Sequence, residues 1–236
     1  MSADSRGVLN RPADGPDAVV RYGDHPDQLV DLHLPPTETA TAPVLVLLHG
    51  GFWRHEWDRR HTRPMAAALR GDGWIVVTPE FRRTGGDGGW PATFDDIATV
   101  RERLPDLVHI AIGRRDIEPL TLLGHSAGGQ LAMWWALTAP DPATVRRAVG
   151  LAPVADLARA HAEGWTAMRS TPYSAAAPTR CPTAMRRPTR LGSWPVPSIR
   201  RSSCCTGPTT TECRPRTIAI WRASRTPSSP PPGTSS

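Results

Sequence analysis

The sequence predicts an α/β fold: a mostly parallel, doubly wound sheet with helices on both faces. Two observations carry that prediction. From Pro43 to about Leu151, apolar runs of strand length alternate with amphipathic stretches of helix length, the pattern of successive βαβ units. One of those runs, PVLVLLHGG, is continuous and stopped by glycine, as expected for a strand buried on both faces. A third observation limits the prediction to part of the chain, because the composition changes abruptly after Glu163.

Taken in order, AVVRYG and QLVDLHLPP alternate and close on a double proline, which suits an opening antiparallel pair. PVLVLLHGG is the first buried strand. HTRPMAAALRGDG reads as a helix ending near Gly71, and WIVVTPEF as a second buried strand. TFDDIATVRERL is an amphipathic helix with Thr93 as its cap and with Asp95 and Asp96 in its first turn, where acids favour the helix dipole. EPLTLLGHS is a third strand, SAGGQLAMWWALTAP a helix closed by Pro140, and RRAVGLAPVADL a fourth strand running into a loop. No strand or helix is predicted after His161.

The chain has 236 residues and a formal charge of +6, yet that charge is not spread along it. Residues 1–163 hold 17 Arg against 21 Asp plus Glu, and residues 164–236 hold 11 Arg against the single Glu212. The second segment also contains all four cysteines and is rich in proline, threonine and serine, a mixture that buries too little apolar surface to offset chain entropy. We therefore divide the chain into a folded domain at 1–163, missing its last strands, and a disordered tail at 164–236. The first segment carries no cysteine, so no disulfide framework is expected there.

The N-terminus shows no charged start followed by an apolar stretch, and runs such as VLVLL are too short to span a bilayer, so a cytoplasmic protein with no membrane partner is expected. The tail arginines are scattered among proline, serine and threonine with few aromatics, which argues against a nucleic-acid arm. Cys181, Cys204, Cys205 and Cys213 include no CxxC pair, which argues against zinc. No cofactor is expected.

Gly124, His125, Ser126, Ala127 and Gly128 fit GxSxG, with a strand before and a helix after. On such a turn the serine hydroxyl stands exposed at a helix N-terminus, while the glycines let backbone pass close to backbone, so Ser126 is the candidate nucleophile. His49, Gly50, Gly51, Phe52 and Trp53 end the first buried strand. Acyl transfer builds negative charge on a carbonyl oxygen, and donors must be aimed at it. Gly50, Gly51, Phe52 and Ala127 are the candidate oxyanion hole, with the amides of Gly51, Phe52 and Ala127 as donors. The His49 side chain is expected to hold the loop rather than transfer protons. Trp53 and His125 are candidate pocket residues, and Arg54, Trp57 and Asp58 are as compatible with packing as with a substrate entrance.

LVLLHGGFW followed by GHSAGGQLA resembles the α/β-hydrolase superfamily in its esterase/lipase branch, and the HGGxW form is similar to the kynurenine formamidase-like and carboxylesterase group. The resemblance covers roughly residues 18–162. It implies a serine hydrolase acting on small-molecule esters or amides through a Ser, Asp, His triad in that chain order. Phe52 stands where many esterases have a third glycine. After Ser126 the chain offers only His161 as a base, and Asp141, Asp156, Glu163 and Glu212 as acids, none in the setting the family requires. A catalytically inactive, hydrolase-like binding protein is therefore the alternative reading.

A one-base slip in the coding sequence between about Ala162 and Trp165 accounts for both the tail and the missing base. All 28 basic residues are arginine, the mark of GC-rich codons, whose shifted frames yield Arg, Pro, Thr, Ser and Cys. Taking the third base of each codon with the first two of the next turns CCTGPTTTECRP into a string compatible with LHGxDDDRVP, which resembles the family's late strand and acid loop. The Gly233 to Thr234 junction likewise permits His. The coding DNA across codons 160–170, translated in its neighbouring phase, is expected to restore an aspartate loop and a C-terminal histidine; a stop codon soon after the slip would refute the reading.

Overall fold

All five residues of Val44–Leu48 are buried, because both faces of this strand meet helices. In the computed structural model, which describes residues 11–36, 40–117, 119–157, 160 and 218–222, it is one of seven strands in a single sheet. In chain order these are β1 (Ala18–Arg21), β2 (Leu29–His33), β3 (Val44–Leu48), β4 (Ile75–Pro79), β5 (Leu120–His125), β6 (Val145–Leu151) and β7 (Ile218–Arg222). The spatial order is β1-β2-β4-β3-β5-β6-β7. Strands β4, β3, β5 and β6 are mutually parallel, and β1, β2 and β7 add antiparallel edges.

Among the described residues the α-helices that cover the sheet are α1 (Arg63–Gly71), α2 (Ala92–Ile112) and α3 (Ala127–Thr138). The period-two alternation of β3 sorts its side chains between them. Val44, Val46 and Leu48 enter the main core with Phe94, Ile97, Val100 and Leu104 of α2 and Leu131 and Trp135 of α3, whereas Leu45 and Leu47 enter a smaller core with Ala66. At about 1.5–3 kcal/mol for each fully buried aliphatic side chain, these layers supply most of the force that holds the sheet flat against its helices. The chain passes from β3 to β4 on one side and then to β5 on the other, so the strand order reverses at β3. A crevice opens at such a reversal, beyond the carboxyl ends of β3 and β5.

Every element predicted up to residue 157 is present, with three local differences. Helix α2 runs through Pro105 to Ile112 rather than stopping at Leu104, because Leu107 and Val108 are buried and their packing exceeds the roughly 3 kcal/mol that an interior proline costs. Thr93 lies inside α2; its hydroxyl accepts from the Gly89 N–H and donates to the Arg82 carbonyl, tying the helix to the loop before it. Asp96 is wholly buried rather than dressing the dipole, and both its oxygens are gripped by the Arg82 guanidinium at 2.7–3.1 Å. That hydrogen bonding raises the Arg82 guanidinium further above its ordinary range.

One strand does form beyond His161. β7 pairs antiparallel with β6, from Leu151 opposite Ile218 to Arg147 opposite Arg222, so the edge of β6 is covered rather than open. Its sequence, IAIWR, is the most apolar run of the tail, and an unpaired strand edge is a ready template for such a run. His161, Glu163, the four cysteines and CCTGPTTTECRP lie outside the described residues. Among the described residues no helix is long and apolar enough to cross a membrane.

His33, at the end of β2, is fully buried, and neither ring nitrogen has a hydrogen-bond partner among the described residues. Burial pushes its imidazole below the ordinary value, against the smaller opposing pull of Asp31 and Asp17. The folded state therefore favours neutral His33, and the stability it contributes is complete above the unfolded value of about 6.5 and declines as pH falls below it. Melting temperature is expected to drop between about pH 7 and pH 5, and His33→Leu to flatten that slope. An unchanged slope in the variant would assign the effect to other groups.

Candidate active site

Ser126 joins β5 to α3 with φ 53° and ψ −116°, a conformation that costs a residue with a side chain on the order of 1–3 kcal/mol. Hydrogen bonds from three directions hold it there. Its N–H donates to the Leu151 carbonyl at 2.9 Å, and its own carbonyl accepts from Gln130 and Val154, both at 3.2 Å. The flanking glycines are required by contact. A Cβ on Gly124 would lie 2.1 Å from the Gly128 carbonyl oxygen, and one on Gly128 would lie 2.1 Å from that of Leu48. The ends of β3 and β5 and the start of α3 thus meet with no room for a methyl group.

The loop after β3 lies against this turn. A Cβ on Gly50 would be 2.8 Å from the His125 carbonyl oxygen and 3.2 Å from the Ser126 Cβ, so the Gly50 backbone and Ser126 are neighbours. Gly51, Phe52 and Trp53 then take φ of 114°, 54° and 57°, three successive residues in the left-handed region. Among the described residues the N–H groups of Gly51 and Phe52 donate to no protein acceptor. The Ala127 N–H opens α3, at the positive end of its dipole. These three donors come from two loops that meet at the crevice.

A buried ionic cluster supports the loop from below. His49 Nε2 lies 2.9 Å from Glu80 Oε1 and its Nδ1 lies 2.9 Å from the Gly50 carbonyl oxygen, while its ring stacks on Phe81 with centroids 4.3 Å apart. Glu80 also accepts the backbone N–H groups of Arg59 at 2.9 Å and of Phe81 at 3.1 Å, with the Arg83 guanidinium 3.3 Å away. Burial alone pushes the Glu80 carboxyl up, but His49, Arg83 and the Arg59 N–H outweigh it and hold the group below its ordinary range. Arg59 continues the cluster to Asp31 at 2.7 Å, and Arg63 reaches the other Asp31 oxygen at 3.2 Å. Arg83 donates to the Trp57 carbonyl, and the Thr84 N–H to that of Trp53 at 2.7 Å, so the segment after Glu80 clasps the loop along its length.

His49 is therefore a holder of the loop, as its buried place beneath two glycines leads one to expect. Trp53 is buried within the main core, and the aromatic rings exposed beside Gly51 are Phe52 and Trp57. The Arg54 guanidinium lies 5.9 Å from the Phe52 ring centre, and Asp58 caps the short 3-10 helix Arg59–Thr62. His125 is solvent-exposed next to Ser126. His61 stands edge-on to both His49 and Trp57; burial first, then the charge of His49, pushes its imidazole down. Asp141 accepts the Ala143 N–H at 2.8 Å and is a turn cap. The residues missed in the sequence are Glu80, Arg59, Arg83 and Asp31. An acid ending an apolar strand, TPE, was the available signal, because β3 and β4 pair at an offset that carries His49 opposite Glu80.

The BD-FAE family model matches residues 30–151, just over half of the chain, and that span holds both loops of the site. The chain belongs to the BD-FAE family. This places it in the esterase and formamidase-like part of the α/β-hydrolases. Similar curated proteins include the esterase LipC of Mycobacterium tuberculosis (strain ATCC 25618 / H37Rv), 32% identical over 124 residues that cover 52% of this chain and 30% of LipC. The kynurenine formamidase of Salmo salar is 29% identical over 113 residues, covering 48% of this chain and 36% of that protein. The chain thus spans about a third of the length of these relatives. Among solved structures, esterase B of Lactobacillus rhamnosis (HN001) shares the fold, with a TM-score of 0.53 and 23% identity over 72% of this chain and 57% of the other.

The contact at Gly128 yields a direct test. Gly128→Ala sets a methyl group against the fixed β3 carbonyls and is expected to destabilise the domain by at least the roughly 1–3 kcal/mol of ordinary overpacking, read as a lower urea midpoint. A midpoint equal to the parent protein's would mean that α3 sits farther from β3.

Proposed function

We propose that the fold is that of a serine hydrolase of carboxylic esters or amides, with Ser126 as nucleophile and the Gly51, Phe52 and Ala127 amides as oxyanion donors. The single observation that supports this most is the strained Ser126 turn pressed against Gly50, which brings a serine hydroxyl and free backbone N–H groups to one crevice. The similarity to an esterase and to a formamidase supports ester and amide as the two substrate classes.

In this reading Ser126 Oγ attacks the substrate carbonyl carbon while its proton passes to a base, and the carbonyl oxygen takes up negative charge facing the amide donors. Collapse of the tetrahedral intermediate expels the alcohol or amine, which leaves with a proton. Water then hydrolyses the acyl-serine by the same steps. The donors act at the moment charge develops, and being part of the backbone they need no reorganisation.

The base and its orienting acid are the parts this chain lacks in the family's order, and the slip near Ala162 is our explanation. A hydrolase without its triad base retains only the catalysis of binding and oxyanion donors, roughly 10³–10⁴-fold over water. The chain is therefore expected to react slowly at Ser126 with a fluorophosphonate probe and to turn over p-nitrophenyl acetate weakly, both abolished by Ser126→Ala. A version carrying the in-phase C-terminal segment is expected to gain orders of magnitude in kcat. Labelling that survives Ser126→Ala would overturn the nucleophile assignment; full turnover by the chain as it stands would overturn the loss of the base.

A further inference from the structure

The two ring nitrogens of His49 both face acceptors. Nδ1 lies 2.9 Å from a backbone carbonyl oxygen and Nε2 lies 2.9 Å from a carboxylate oxygen. A neutral imidazole has one N–H, so it would satisfy one contact and set a lone pair against an oxygen at the other. Two arrangements avoid that clash. Either the proton sits on Glu80, or His49 carries both ring protons. The surroundings of Glu80 decide between them. Its carboxylate accepts the Arg59 and Phe81 N–H groups and lies beside the Arg83 guanidinium, and these donors favour the charged form over a carboxylic acid, which accepts from them more weakly.

The guanidinium groups near the ring are each paired with a carboxylate. Arg59 and Arg63 share Asp31, Arg59 also lies 3.8 Å from Glu80, and Arg83 reaches Asp27 at 3.0 Å as well as Glu80. His61, the nearest other imidazole, presents its ring edge-on at 5.7 Å, and His125 beyond it is open to solvent. One ring face is covered by Phe81, stacked at an interplanar angle of 6°.

The carbonyl that accepts from Nδ1 belongs to Gly50, and the N–H of that same planar peptide unit is the Gly51 N–H, the first proposed oxyanion donor. A hydrogen bond to a peptide oxygen draws electron density from its nitrogen and strengthens the N–H as a donor, an effect of about 10–30% per bond in a chain. We infer that Glu80 holds His49 as a buried imidazolium whose Nδ1–H polarises the Gly50–Gly51 peptide, making both side chains positioning residues for the oxyanion hole. The inference rests on the reading of Gly51 as an oxyanion donor. It deepens that reading by placing a full positive charge one peptide unit behind the developing negative one.

Long-range proton–nitrogen NMR of the full chain at about pH 7.5 tests it without any catalysis, since the two protonation states of a histidine ring differ plainly in nitrogen shift. Both His49 ring nitrogens are expected to be protonated. In Glu80→Gln one ring proton is expected to be lost, with the Gly50 carbonyl carbon and the Gly51 amide nitrogen shifting together. Phosphonylation of Ser126 should slow about tenfold, less than the roughly 10²–10³ that deletion of a donor costs.

A neutral His49 in the unsubstituted chain would overturn the inference. So would Gly50 and Gly51 signals that stay in place when the ring loses its proton, or an unchanged rate of phosphonylation. If the unsubstituted chain takes no phosphonate at all, the nucleophile reading fails, and the ring and peptide signals still decide the relay. If Glu80→Gln does not fold, His49→Gln, which keeps a donor for the Gly50 carbonyl but removes the charge, supplies the same comparison.

Discussion

The site depends on one close approach. The Gly128 backbone lies against the Leu48 carbonyl, and Gly124 lies against Gly128, so the ends of β3 and β5 and the start of α3 touch without side chains between them. That contact sets the pitch of α3 against the sheet and leaves Ser126 no ordinary backbone conformation to adopt. The left-handed φ of Ser126 is stable because the turn is over-determined by strands and helix whose large apolar faces are buried elsewhere. The strain is small beside the packing energy that enforces it.

A second layer controls the other half of the site. Gly51, Phe52 and Trp53 together hold the loop in a shape that only one of the three adopts freely, and the buried cluster of His49, Glu80, Arg59, Asp31 and Arg83 keeps it there. Charges buried in this way stabilise a fold little in net terms, because desolvation consumes most of the Coulombic gain, but removing one partner leaves an uncompensated charge. Such a cluster therefore fixes one arrangement more than it adds stability. Its strands meet at the reversal of the sheet order, so the geometry of β3 and β4 is transmitted directly to the backbone donors.

Membership of the BD-FAE family and the fold shared with esterase B concern the region that the sheet and its helices define. The seventh strand is of a different kind. It comes from a segment whose arginine, proline and threonine content argues against a core, and it joins the sheet by antiparallel pairing along the edge of β6. Edge pairing asks only for a short apolar run with free N–H and carbonyl groups, and is therefore open to a sequence that could not build a parallel βαβ unit.

Much of the architecture is written in local pattern. The five-residue apolar runs, the glycines that end them and the amphipathic stretches between them identify six strands and three helices, because burial on two faces and burial on one leave different periods. GHSAG and HGGFW reveal the tight turn after β5 and the loop after β3 for the same reason, since close backbone contact admits only glycine at Gly124, Gly128 and Gly50. Glu80, Asp31, Arg59 and Asp96 could not be read this way. Each is a charged residue whose role depends on which distant charge the fold brings to it, and Asp96 in a first helical turn looks the same in sequence whether it faces water or Arg82. Trp53 and Phe52 are adjacent aromatics, yet one is core and the other is exposed, as the left-handed backbone of the loop dictates. Sequence alone thus determined the elements and the place of Ser126 at the turn between β5 and α3, because these follow from short-range sterics and hydrophobic periodicity. Tertiary structure decided the charge pairing behind the donors, because a Coulomb partner is selected by distance in space and not by distance along the chain.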